Sequence, residues 1–167
     1  MKYLFLDFDG VLNSAPFLED AHARRRSIER DGGSIGDDSY MLDWYAVARV
    51  NRIVEATGAK VVISSSWRIL DSMKDIVGFL DNVGFAGHVV GMTPNLQTYR
   101  GLEIQAWIDA LEEPPESIVI LDDDSDMEHL TDRLVNTDFE TGIVDADVER
   151  TIALLNTPWV DARKKVA

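Results

Sequence analysis

Unbroken apolar runs and helical spacings alternate along most of the chain. KYLFLDF (2–8), AKVVISS (59–65) and SIVILDD (117–123) are short and rich in Val, Ile, Leu or Phe. That is the pattern of strands buried on both faces of a parallel sheet. GHVVGM (87–92) and TGIVD (141–145) are weaker strand candidates. Between these runs, apolar residues recur at three- and four-residue spacing. Leu42, Ala46, Val50, Ile53 and Val54 lead to a stop at Gly58, and Met73, Ile76, Val77, Leu80 and Val83 lead to Gly84. GLEIQAWIDALEEPP (101–115) closes at Pro114 and Pro115, and Val148, Ile152 and Leu155 precede Pro158. Gly and Pro at these positions end helices. The alternation predicts an α/β fold: a doubly wound three-layer sandwich around a mainly parallel sheet of about five strands. Residues 14–40 break the pattern, being polar, glycine-rich and weakly periodic. A stretch of that length inside a compact domain is usually functional or disordered.

The length of 167 residues suits one domain over 1–167, with 14–40 as an insertion in it. The net charge of -14 argues against an extended nucleic-acid-coating surface but leaves room for a local basic patch. Arg24, Arg25, Arg26 and Arg30 form such a patch within residues 14–40. It either reads a phosphorylated polymer or is a solvated helix face. The absence of cysteine removes disulfides, thiolate metal sites and cysteine nucleophiles. No apolar run approaches the roughly 18 residues of a membrane span. The N-terminal run is short and broken by Asp7 and Asp9, unlike a signal peptide, so a cytoplasmic location is expected.

Chemistry concentrates at the strand ends. In a strand, residues i and i+2 share a side, so Asp7 and Asp9 project together, about 6–7 Å apart, while Phe8 turns to the core. Gly10 lets the backbone turn sharply or approach a ligand. Ligands of open α/β sheets bind beyond the carboxyl ends of the strands, and Asp122, Asp123 and Asp124 stand at that end of another strand. Carboxylates crowded there raise one another's pKa or require a cation, and an all-oxygen set suits Mg²⁺. The calcium-loop pattern fails at both acidic stretches, and His22, His88 and His129 are scattered singly. Asp124 and Asp126 also fit a turn that caps the next helix. Ser64 follows its strand directly, and its hydroxyl suits a phosphate oxygen. Ser64, Ser65 or Ser66 equally suits a helix cap. Trp67 reads as packing. Arg68 either holds a phosphate or pairs with a surface acid. Arg100 opens a helix, where a cation opposes the dipole, so a neighbouring carboxylate cluster and phosphate would explain it.

Together these residues resemble the haloacid dehalogenase-like (HAD) superfamily, in its small form with a flap in place of a full cap. Asp7-Phe8-Asp9-Gly10-Val11 is similar to the first motif, Ser64 to the second, Arg100 to the third and Asp122-Asp123 to the fourth. The fourth motif allows a second register, Asp122 with Asp126, and Arg100 stands where Lys is commoner. LDFDGVLN, SSSWR and ILDDDSD look, more narrowly, like the HAD domains of RNA-repair and polynucleotide-end phosphatases. The resemblance implies a Mg²⁺-dependent phosphatase acting through an aspartyl-phosphate on a phosphorylated small molecule or nucleic-acid end. Asp7 would be the nucleophile and Asp9 the general acid and base. Ser64, Ser65, Arg100 and Arg68 would hold the phosphate, and Asp7, Asp9, Asp122 and Asp123 the metal. A phospho-accepting signalling module is the alternative. It places its acid pair on the first strand, whereas here the pair follows SIVIL late in the chain.

Overall fold

The computed structural model describes residues 1–163. Strands β1 (Lys2–Leu6), β2 (Lys60–Ile63), β3 (Val89–Met92), β4 (Ser117–Asp122) and β5 (Leu134–Asn136) form one sheet in the order β3-β2-β1-β4-β5. Every neighbouring pair is parallel, so the fold is the doubly wound α/β sandwich that the pattern predicts. The helices are α1 (Ala15–Arg30), α2 (Trp44–Thr57), α3 (Met73–Asn82), α4 (Arg100–Asp109) and α5 (Asp145–Leu155).

The period of two along each strand builds the two outer layers. Leu4, Leu6, Val61, Ile63, Val119 and Leu121 face one side and pack with buried residues of α2, α3 and α5. Tyr3, Phe5, Val62, Ile118 and Ile120 face the other and pack on Ile104 and Ile108 of α4, with Met127 and Leu130 beyond β4. Each fully buried Leu, Ile or Phe contributes about 1.5–3 kcal/mol relative to exposure, which is why the central strands contain almost nothing polar.

Two expectations change. Residues 141–145 are not a strand. Gly142 turns at φ +65, Ile143 is buried against the core, and α5 starts at Asp145. The fifth strand is instead Leu134–Asn136, paired Ile120↔Leu134 and Leu121↔Val135. Three residues are too few to show a periodicity of their own; β4 supplies the ladder. Residues 15–30, in turn, are helical. Ser14 caps α1 by accepting from the Phe17 amide (3.4 Å), and Pro16 sits in the first turn, where a missing N–H costs nothing. Only Ala21 of α1 is buried, so no apolar stripe marks the helix in the sequence. No helix among the described residues is long and apolar enough to cross a membrane.

Candidate active site

The central ladders run slightly past the strands. The Asp7 amide donates to Leu121 O (3.0 Å) and the Ser64 amide to Leu6 O (3.0 Å). The carboxyl ends of β1, β2 and β4 therefore finish level, and Asp7, Ser64 and Asp122 meet there. Asp7 is 4% exposed and Asp122 fully buried. The Arg100 guanidinium, from the first turn of α4, joins them. Its Nη1 lies 2.5 Å from Asp7 Oδ2 and 2.8 Å from Asp122 Oδ2. Asp7 Oδ1 also accepts from the Phe8 amide (2.7 Å), and Asp122 Oδ1 from the Asp124 amide (2.9 Å). Asp123 completes the cluster: one oxygen each from Asp7, Asp122 and Asp123 lies within 4.8 Å of the others.

Backbone freedom makes this crowding possible at two points. Gly10 sits at φ +72, and a Cβ there would fall 2.4 Å from Asp123 Cγ. A side chain at position 10 would push Asp123 out of the cluster. At Gly101 a Cβ would lie 2.3 Å from Met127 O. Its absence lets the start of α4 lie against the loop after β4, where Asp126 Oδ2 accepts from the Arg100 amide (3.0 Å) and Asp126 O from the Gly101 amide (3.1 Å).

The charges answer to this arrangement. Burial, then the charge of Asp7, pushes the Asp122 carboxyl up to about 8. Asp123 is raised by burial and by Asp7 and Asp124. For Arg100, burial acts to lower the pKa, but the carboxylates of Asp7 and Asp122 outweigh it and hold the guanidinium above its ordinary value. Three acids meet one cation. A hard divalent ion such as Mg²⁺ fits a set made only of carboxylate oxygens, and would relieve the repulsion that raises Asp122 and Asp123. The Ser64 hydroxyl is buried without a hydrogen-bond partner. A buried polar group in that condition costs about 1–3 kcal/mol, and a ligand oxygen would satisfy it.

Asp9 is held apart from the cluster. Asn13 Nδ2 donates to its Oδ1 (2.9 Å), and the Trp67 indole Nε1 donates to its Oδ2 (3.0 Å). Asn13 also accepts from the Gly10 amide (3.0 Å) and donates to Met41 O (3.2 Å).

The sequence model of one family, the HAD domain in Swiss Army Knife RNA repair proteins, matches residues 3–148. The chain belongs to that family. No curated protein and no solved structure matches it. It is thus a hydrolase of the HAD type, with the Rossmann-like fold described above and an acidic cluster that could hold a metal ion.

Within this HAD domain the remaining candidate residues divide. Of the two candidates for the second acid of the fourth motif, Asp123 lies with Asp7 and Asp122 in the acid cluster, whereas Asp126 accepts from the Arg100 amide through Oδ2 and leaves its buried Oδ1 without a partner. Ser65 is buried, and its hydroxyl caps the 3₁₀ turn Ser66–Ile69 by accepting from the Trp67 amide (3.4 Å). Arg68 does not face the acid cluster as a free cation. Its Nη1 donates to Ser64 O and Ser65 O (both 2.6 Å), its Nε to Thr93 O (3.1 Å), and its Nη2 pairs with Glu103. With its side chain 5% exposed, it braces the end of β2 against α4. Its partner is a buried acid, not a surface one.

Three contributors were not legible as such in the sequence. Trp67 packs edge-on against Phe8 and Phe79, as expected, and also binds Asp9. Asn13 stands four positions after Asp9, close enough to flag but with nothing to show its contact with Met41. Glu103 gave no signal, because a single acid on a helix reads as solvated.

Proposed function

We propose that this HAD domain is a Mg²⁺-dependent phosphomonoesterase that works through an aspartyl-phosphate and acts on a nucleotide or polynucleotide phosphate end. The observation that carries the reading is the convergence of Asp7, Asp122, Asp123 and Arg100, with a separately held Asp9 alongside. The family description, which concerns RNA repair proteins, supports the nucleic-acid end as substrate class.

Asp7 attacks phosphorus, its Oδ–P bond forms, and the ester P–O bond breaks. Asp9 gives a proton to the departing oxygen and later takes one from the attacking water, so that one hard displacement becomes two easier ones. Arg100 and the Ser64 hydroxyl hold the phosphoryl oxygens. Ser65 and Arg68 shape the loop that presents Ser64. Asp7, Asp122 and Asp123 would hold Mg²⁺, which neutralises charge on the transferring group when bound.

The test is Asp7→Asn, which leaves the size of the side chain unchanged. Phosphate release from an aryl phosphate should fall by at least about a thousandfold, since nucleophile and positioning are lost together. Release at the wild-type rate would remove the nucleophile assignment. A phosphoaspartate that persists for minutes, in place of turnover, would mark a phospho-accepting module instead.

A further inference from the structure

Two openings flank the acid cluster. One, of about 210 Å³, is bordered by Arg100, Asn95, Thr98 and Asp126. The other, of about 460 Å³, is bordered by Asp9, Trp67, Met41, Ile69 and Leu70, with Asp38 and Asp71 on its rim. They offer an ester different things. When the P–O bond breaks, its electron pair stays on the ester oxygen, which must gain a proton. Glu103 and Asp126 line the smaller opening: Glu103 is paired with Arg68, and Asp126 Oδ2 accepts from the Arg100 amide at the start of α4 while its buried Oδ1 has no partner, open to a phosphoryl group or a water rather than to an ester. Asp9, the acid assigned above to the departing oxygen, borders only the larger one. The organic group therefore departs on the side of the larger cleft.

We propose that the cleft between the turns at 38–41 and 66–71 receives the departing group, and that this group is a terminal nucleoside: a flat, uncharged ring system bearing N–H donors. The proposal rests on the phosphomonoesterase reading and extends it to the substrate's organic part. Ile69 and Leu70 are 55% and 90% exposed, an apolar shelf left in water beside a polar site. Trp67 forms the wall, fixed by Phe8 and Phe79. Any base stacks on an aromatic face, which Trp67 supplies, and the aliphatic shelf beside it adds apolar contact. The volume lies within the range of small-molecule sites. The charged residues bordering the cleft are Asp9, Asp38 and Asp71, with no Lys, Arg or His among them; Arg25 stands 3.9 Å behind Asp38. A leaving group that carries a second phosphomonoester, a dianion, is repelled there more strongly than the singly charged diester of an oligonucleotide, whereas ring N–H and amino groups meet carboxylate acceptors. A bare phosphosugar gains nothing from the shelf.

Four substrates separate these possibilities: a guanosine monophosphate, ribose 5-phosphate, guanosine bisphosphate, and an oligonucleotide ending in the same phosphorylated nucleoside. The monophosphate and the oligonucleotide end should each exceed ribose 5-phosphate in kcat/KM by about tenfold or more, the scale of one stacked base. Leu70→Asp, at an exposed position, should bring that ratio close to one. Asp38→Asn combined with Asp71→Asn should raise the bisphosphate relative to the monophosphate by about fivefold. Equal rates for the monophosphate and the sugar phosphate would overturn the subsite. A preference for the mononucleotide over the oligonucleotide end would leave the nucleoside subsite standing and assign it to the free nucleotide. Chemical-shift mapping with guanosine, which carries no phosphate, reads the cleft independently of turnover. Shifts at Met41, Trp67, Ile69 and Leu70, absent with ribose, support it, and shifts elsewhere or none overturn it. If no phosphate ester is hydrolysed at all, the phosphomonoesterase reading fails, and the guanosine map alone decides the cleft.

Discussion

Asp7 and Asp9 are two positions apart and differ in everything but type. Asp7 touches the cation and the acid cluster, whereas both oxygens of Asp9 accept N–H bonds from side chains outside it. Trp67 is thereby a positioning residue. Trp67→Phe keeps the packing on Phe8 and Phe79 and deletes one donor. General acid catalysis contributes roughly 10²–10⁴-fold, so misplacing the acid should cost about tenfold on alkyl phosphates, which need the proton. An activated nitrophenyl ester, which does not, should be nearly unaffected; equal losses on both would mean that Trp67 acts through the fold alone. The raised carboxyl of Asp122 makes a second prediction. Folding favours its protonated form, so its contribution to stability is least unfavourable below the ordinary carboxylate pKa and worsens as pH rises toward about 8. In EDTA, the Tm of wild type relative to Asp122→Asn should therefore fall between about pH 5 and pH 8. Mg²⁺ should raise the wild-type Tm most at the upper end of that range and leave Asp122→Asn little changed. A difference in Tm independent of pH would refute the coupling.

At the scale of elements, the turn after β2 depends on one buried cation. Arg68 binds three backbone carbonyls and pairs with Glu103, whose other oxygen accepts from the Leu96 amide (2.7 Å). Burial lowers its pKa, and Glu103 offsets that. Arg68→Ala leaves a buried carboxylate and three carbonyls unpaired, so about 3–5 kcal/mol of stability should be lost in urea unfolding. A loss below about 1 kcal/mol would show that water replaces the guanidinium. What the sequence made legible follows from packing. β1, β2 and β4 were readable because burial on both faces excludes polar residues, and α2, α3 and α5 because each buries a stripe. β5 and α1 were not. The first borrows its hydrogen bonds from β4, and the second buries one alanine. Of the site, the acids and Arg100 were readable because their charges conflict with strand ends and a helix start. The roles of Trp67, Asn13 and Glu103 depend on contacts that only the folded chain makes.

For the whole molecule, the -14 charge bears on the proposed substrate more than on the fold. A polyanionic end approaches a polyanionic protein, and repulsion reaches about 30 Å at 10 mM salt but about 8 Å at 150 mM. On a phosphorylated oligonucleotide, kcat/KM should therefore rise over that interval, the reverse of a basic nucleic-acid binder. Arg24 and Arg26, exposed on α1, are local exceptions; Arg25 is tied to Glu29 and Tyr40. Reversing Arg24 and Arg26 to Glu should steepen the rise while leaving an aryl phosphate flat. A fall with salt in the wild type would show that local positive potential dominates.

The amide of Asn13 joins two parts of the site. With one N–H group it orients Asp9, and through the same nitrogen it grips the carbonyl of Met41, in the turn that follows α1 and walls the larger cleft. The wall of the cleft and the orientation of Asp9 are therefore registered on one atom, so a change that displaces Met41 is felt at Asp9 although the two residues do not touch.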